Sequence, residues 1–263
     1  MTAVTAQAQP EATSTEIVRR YALHLGDTSL ILAQRLGEWV GHAPALEEDL
    51  ALANVALDLL GQARYLLSYA GELEGAGRTE DHLAFLRDPQ DFANLNLVEQ
   101  PNVDFGHTIV RQFLIDAWHL ELFERLEQSK DVRLAELAAK ALKETRYHFR
   151  FSSSWVVRLG DGTQESRARV QAALDALWRF TYELFVPTPD EQAAVAAGVA
   201  PDPLPMQASW MARVDQVLEE ATLTKPANVQ YAWHGKRGQH SEHLSRLLAE
   251  MQYMQRTYPG VQW

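Results

Sequence analysis

The sequence has no cysteine. That removes disulfides, zinc–thiolate sites and a thiol nucleophile together, and it permits a reducing compartment. Positive charge is also scarce: 24 Lys and Arg stand against 35 Asp and Glu, a formal net charge of −11. With no basic tract, neither nucleic acid nor an anionic membrane is an expected partner. No uncharged apolar run is long enough to cross a bilayer. The start, Met1 to Thr15, lacks both the basic cap and the apolar core of a secretory leader. Residues 1–14 are expected to be a disordered tail, residues 15–263 a single helical domain, and the cytoplasm its location. Strand series, Rossmann and P-loop glycine motifs and repeats of solenoid length are missing too.

What remains is a chain of 263 residues, 46% hydrophobic and 22% charged, enough for a sizeable core. Apolar residues recur every three or four positions, the helical period. The pattern predicts a first helix from Thr15 to about Val40, stopped by Gly41-His42-Ala43-Pro44 because Pro44 cannot sit inside a helix. A second helix runs from about Leu46, behind the acids Glu47, Glu48 and Asp49 that suit a helix start, to Ala70, with Gly71 ending it. Residues 71–104 are broken by glycine and proline and form a long connection with a short helix near Asp81–Arg87. A third helix covers about Asp104–Glu127. After a tight turn at Ser129-Lys130-Asp131, a fourth reaches about Leu159, with Leu137, Ala141, Glu144, His148, Phe151 and Trp155 as its inward stripe.

Three more helices follow, Glu165–Phe185, about Gln207–Ala221 and about Ser241–Tyr258, with a loose acidic connection from Pro187 to Pro205 between the first two. Short loop, long crossover, short loop is the connectivity of an all-α, ferritin-like four-helix bundle, here with the crossover between helices 2 and 3 and about three additional C-terminal helices outside it.

Each of the four core helices carries an acid among apolar neighbours: Asp27, Asp58, Asp116 and Glu144. Asp27 lies 13 residues before Val40, and Asp58 lies 12 after Leu46. Asp116 lies 12 before Gln128, and Glu144 lies 13 after Asp131. At about 1.5 Å per residue all four sit roughly 18–20 Å from their turns. A shared depth of that kind matches the ligand plane of a di-iron bundle, in which two helices each give a carboxylate and the other two each give Glu-x-x-His.

The histidine positions then fall three residues after the acids of helices 2 and 4, where this chain has Gly61 and Tyr147. With both imidazoles missing, the plane reads as vestigial, with no metal, catalytic or cofactor-binding residue. His119 and His148 are offset by about 12 Å along the axis and cannot reach one metal. They, with His24 and Arg35, are expected as hydrogen-bond partners of the acids. Trp118, Trp155, Trp178 and Phe180 are expected as core or interface filler, and Lys236-Arg237 as a solvated turn.

Several strings carry a resemblance. Gly26-Asp27, Gln34-Arg35-Leu36-Gly37-Glu38-Trp39 and Gly41-His42-Ala43-Pro44 are similar to the C subunits of bacterial phenylacetyl-CoA epoxidases. So are Leu57-Asp58-Leu59-Leu60-Gly61-Gln62-Ala63-Arg64, Val98-Glu99-Gln100-Pro101-Asn102, Leu177-Trp178-Arg179-Phe180, His243-Leu244 and Leu248-Ala249-Glu250-Met251-Gln252-Tyr253. The likeness runs from about Tyr21 to Trp263.

It implies a non-catalytic structural subunit of a multicomponent oxygenase that epoxidises phenylacetyl-CoA in aerobic phenylacetate breakdown. The catalytic A subunit would hold the di-iron centre, and a small B subunit and an iron–sulfur flavin reductase would complete the hetero-oligomer. This chain would bind no cofactor itself, and its four acids would be locked by hydrogen bonds or ion pairs. Two other readings are a di-iron oxygenase in its own right with displaced ligands, and a module binding a CoA thioester.

Overall fold

A computed structural model describes residues 13–228 and 234–261. The expected tail therefore lies outside the described residues except for its end: Thr13 caps the first helix, its hydroxyl accepting the Glu16 N–H at 3.3 Å, and Ser14 opens it.

Four long helices form the bundle: α1 (Ser14–Gly37), α2 (Leu46–Glu74), α4 (Phe105–Leu126) and α5 (Val132–Gly160), with the short α3 (Glu80–Phe85) inside the crossover. α1 pairs with α2 and α4 with α5, each across a tight loop. Among the described residues there is no strand. Buried apolar side chains form a continuous cluster from Val18 on α1 to Leu248 near the C-terminus.

α1 and α4 are buried almost all round, from His24 to Ala33 and from Thr108 to Phe123. The elements after α5 account for this, because α6 (Gln164–Leu177) and α8 (Pro203–Glu220) lie on α4 and α7 (Pro189–Ala197) lies on α1. α2 and α5 instead keep one face in solvent, as their polar residues require. The C-terminal helices α9 (Glu242–Met251) and α10 (Tyr253–Thr257) return to the crossover.

Three expectations need correction. α2 does not stop at Gly71. It runs to Glu74, and Gly75, in the left-handed region at φ 68°, caps it. Gly71 is there for close packing, since a Cβ at that position would lie 2.3 Å from the Arg78 carbonyl oxygen. Residues 187–205 are not a loose connection: Thr188-Pro189-Asp190-Glu191 is a capping box that opens α7. The centre of the inward face of α5 is Thr145, His148 and Ser152, while Glu144, Phe151 and Trp155 are only half-buried at its edges.

The crossover itself packs into the molecule. Asn94 to Gln100 are buried, so their backbone needs partners from elsewhere. The Asn96 N–H donates to Glu183 at 2.8 Å, Arg35 donates to the Glu99 carbonyl, and Arg111 donates to the Gln100 carbonyl.

Candidate functional site

Only His148 brings two of the four acids near one another; the other contacts separate them. Asp27 on α1 is fully buried and faces the crossover. Its carboxylate accepts from both terminal nitrogens of Arg87, one at 3.0 Å, and from the Ala93 N–H at 2.9 Å. Arg87 is itself buried, lies 4.1 Å over the Phe92 ring and donates to the Asp91 carbonyl at 2.9 Å. This is a closed ion pair with little capacity left for anything else.

Asp116 on α4 is equally buried but has only neutral donors, the Gln112 amide and the Ser152 hydroxyl, each at 2.7 Å. Burial pushes its carboxyl up to about 6, against the pull of the nearby His148 and of those two donors. Asp58 on α2 is at the margin of the bundle with its side chain 38% exposed, and it bonds the Nε2 of the fully buried His148 at 2.9 Å. Glu144 takes the Gln62 amide at 3.0 Å and has Lys140 at 3.6 Å.

Of the expected partners, His148 alone bonds one of the four acids. The Nδ1 of His24 bonds the Ala93 carbonyl at 2.7 Å, Arg35 serves the crossover, and His119 stacks on Phe123 with its Nδ1 unpartnered. Burial, and then the nearby His148, lowers His119 to about 3, so it is neutral at physiological pH.

The vestigial ligand plane is therefore corrected. Neither a common level nor the rotation holds: along α5, Asp58 meets His148, Asp116 meets Ser152 a turn further on, and Glu144, a turn back, meets Gln62. Gly61 is exposed, with nothing within 4 Å of where a Cβ would stand, and Tyr147 is 40% exposed. Both face outward, so an imidazole at either position would point away from the bundle interior. The inward pairs three apart lie one residue on, at Leu59/Gln62 of α2 and Thr145/His148 of α5. In this register one imidazole is present and both acids are replaced. Among the described residues no three His, Asp or Glu are grouped as a metal would need. The donor set does not fit a di-iron centre: Asp27 is saturated by Arg87, Asp116 is bonded by Gln112 and Ser152, and the inward positions of α2 and α5 offer a leucine, a glutamine, a threonine and only one imidazole, His148.

Periodicity alone missed a second set of buried charges. Glu183 accepts the N–H groups of Asn96 and Lys236, and burial pushes it up to about 7. Glu99 accepts the Ser241 N–H at 2.7 Å and bonds the Nδ1 of His240 at 3.0 Å. Lys236 is not a solvated turn. Its ammonium is buried and held by Glu191 at 2.8 Å and by the Val186 carbonyl. Trp118, Trp178 and Phe180 are core, as expected, and Trp155 is half-buried, edge-on to Phe105 at 5.2 Å. The one legible signal for the acid set was Val98-Glu99-Gln100-Pro101, a single charge inside an otherwise uncharged loop.

Comparison with known proteins agrees with the bundle. A family model described as phenylacetic acid catabolic protein matches residues 1–263. The chain is 56% identical over 243 residues to the C subunit of the 1,2-phenylacetyl-CoA epoxidase of Escherichia coli (strain K12), a match that covers 92% of this chain and 98% of that protein. With a family model matched along its whole length and a relative of this similarity, the chain belongs to the phenylacetic acid catabolic protein family.

Proposed function

We propose that the chain is the structural subunit of a 1,2-phenylacetyl-CoA epoxidase, acting by holding a catalytic partner and doing no chemistry itself. The observation that carries this reading is its similarity, along nearly the whole of both chains, to a protein named as the C subunit of that enzyme. The interior supports it, because the inward positions hold Leu59, Gln62, Thr145 and a single imidazole, His148, and its acids are satisfied by protein donors. In this reading the catalytic A subunit carries the di-iron centre, a small B subunit joins the assembly, and a reductase with iron–sulfur and flavin groups delivers electrons. The complex works in the cytoplasm.

A supporting subunit of this kind has a physical use. A bundle that admits oxygen and substrate between its helices gives up packing there. A stiff homologous bundle docked on its flank limits how far those helices spread. Stiffness here comes from the filled core and from the Asp27–Arg87 pair tying α1 to the crossover.

Co-expression with the A subunit, followed by affinity purification and mass measurement, tests the reading. A stable complex is expected, with epoxidation lost when this chain is omitted and with iron tracking the A subunit. Purification of this chain alone with stoichiometric iron and turnover of its own would overturn it.

A further inference from the structure

The outer face of α5 stands apart from the rest of this acidic molecule. Within Val132–Gly160 there are six cations, Arg133, Lys140, Lys143, Arg146, Arg150 and Arg158, against two acids, although the whole chain has 24 basic and 35 acidic residues. Lys140, Lys143, Arg146, Tyr147 and Arg150 are all exposed, and 140, 143, 147 and 150 follow the helical period along one solvent stripe. From 140 to 150 this stripe is about 15 Å long.

Of the two acids on this helix, Glu144 is engaged by Gln62 and Lys140. Among the described residues, Lys143 and Arg146 have neither an ion pair nor a hydrogen bond from their side chains, and Arg150 lies 5.8 Å over the Tyr147 ring.

The neighbouring strip of α2 is apolar where this one is basic. Asp58–His148 and Gln62–Glu144 are the seam between the two antiparallel helices. One residue outward from the seam stand Leu57, 64% exposed, and the open Gly61 on α2, opposite Tyr147 and Lys143 on α5. Leu50, 56% exposed, and Arg64 continue the α2 side. Exposed leucines and an aromatic ring, bordered by cations without counter-ions, have the composition of a protein interface with an apolar centre and a charged rim.

We propose that the outer α2–α5 face, with Leu57 and Tyr147 at its centre and Lys143, Arg146 and Arg150 along its rim, is the surface on which this subunit docks an acidic face of a partner subunit. This rests on the reading that the chain works in a multi-subunit epoxidase. The cations are strung along three helical turns and interleaved with apolar groups. That geometry suits an extended protein surface, whereas a phosphate group calls for cations converging on one point. A second copy of this chain and the phosphates of coenzyme A are the other occupants to be tested.

The test is charge reversal in the full chain, K143E/R146E/R150E, co-expressed with the catalytic subunit. All three side chains are exposed, and an unchanged melting temperature checks that the variant folds. Docking here predicts at least a tenfold loss of affinity for the catalytic subunit and an association rate that no longer falls with added salt. Reversal of exposed Arg246 on α9 should leave both unchanged, and L57S alone should weaken the complex through faster dissociation.

If the wild-type chain assembles with the catalytic subunit and the triple variant does so equally well, this surface assignment is overturned while the structural-subunit reading stands. If the wild-type chain does not assemble at all, the broader reading fails first. A variant that assembles normally but loses binding of free coenzyme A would make the strip a nucleotide site and end the proposal. Loss of a homodimer with the heteromeric complex intact would assign the face to a second copy.

Discussion

Asp27 and Asp116 are both wholly buried acids on the inner helices of one bundle, yet they are stabilised in different ways. Asp27 has a dedicated guanidinium and a backbone N–H, and the pair joins α1 to a loop some 60 residues away in sequence. Asp116 has an amide and a hydroxyl and no cation bonded to it, and burial pushes its carboxyl up to about 6. One is a fixed charge whose loss leaves an arginine stranded. The other is an acid close to being a neutral group, and removing its charge costs little. Whether a buried carboxylate is a structural tie or a tolerated leftover depends on the charge of its partner as much as on its own burial.

The largest effect that sharpens this contrast is expected at the ion pair. Asp27→Asn leaves Arg87 buried without its counter-charge and should cost about 3–5 kcal/mol in denaturant unfolding. Combining it with Arg87→Met should recover part of that loss. If the single and double variants were equally unstable, the pair would not be the tie described here.

Next comes the pH dependence at Asp116. In the folded chain the carboxyl keeps its proton up to about 6, whereas in the unfolded chain it is lost near 4. Its contribution to stability is therefore complete below about pH 4 and is lost as pH rises through 6, roughly 3 kcal/mol at most. His119 acts in the opposite sense. Its folded value of about 3 lies below the ordinary imidazole value, so its contribution is present above about pH 6.5 and is lost as pH falls. The two partly cancel in the wild type. Asp116→Asn removes only the first, so its stability relative to wild type should rise between pH 4 and 6, as read from paired denaturation curves.

Smaller effects follow at the margin. Asp58→Asn and Glu144→Gln together should cost no more than about 1 kcal/mol, because Asp58 is partly solvated and both amides retain an acceptor oxygen. A collapse of the fold in that double variant would mean that all four acids act together as one lock.

Gly61→Ala should stabilise by up to about 1 kcal/mol, since the site is open and alanine favours the helix. Gly71→Ala should destabilise against the Arg78 carbonyl. Gly61→His with Tyr147→His should gain no iron binding in metal analysis, because both side chains face solvent.

Much of the fold was legible. The four long helices, their tight turns and the crossover followed from periodicity and from punctuation by glycine and proline. α7 was legible too, in Thr188-Pro189-Asp190-Glu191, but the flanking prolines obscured it. The candidate site was half legible. Counting residues from a turn gives only an approximate height along a helix, and the contacts of Asp58 with His148, Gln62 with Glu144 and Ser152 with Asp116 stagger the acids. The angle about the axis changes by about 100° per residue, so an error of one position turns an inward ligand into a surface group. That is what happened at Gly61 and Tyr147.

The sequence by itself determined an acidic, cysteine-free, all-helical chain with one acid among apolar residues on each long helix, and the family likeness that names its relatives. Only the tertiary structure decided which of those acids met Arg87, which met His148, and which way the glycine and the tyrosine faced. The reason is physical. Helix formation and capping are written in contacts three or four residues apart, whereas the partner of a buried charge comes from wherever the fold brings a donor, here from a loop 60 residues from Asp27 and a helix 90 residues from Asp58.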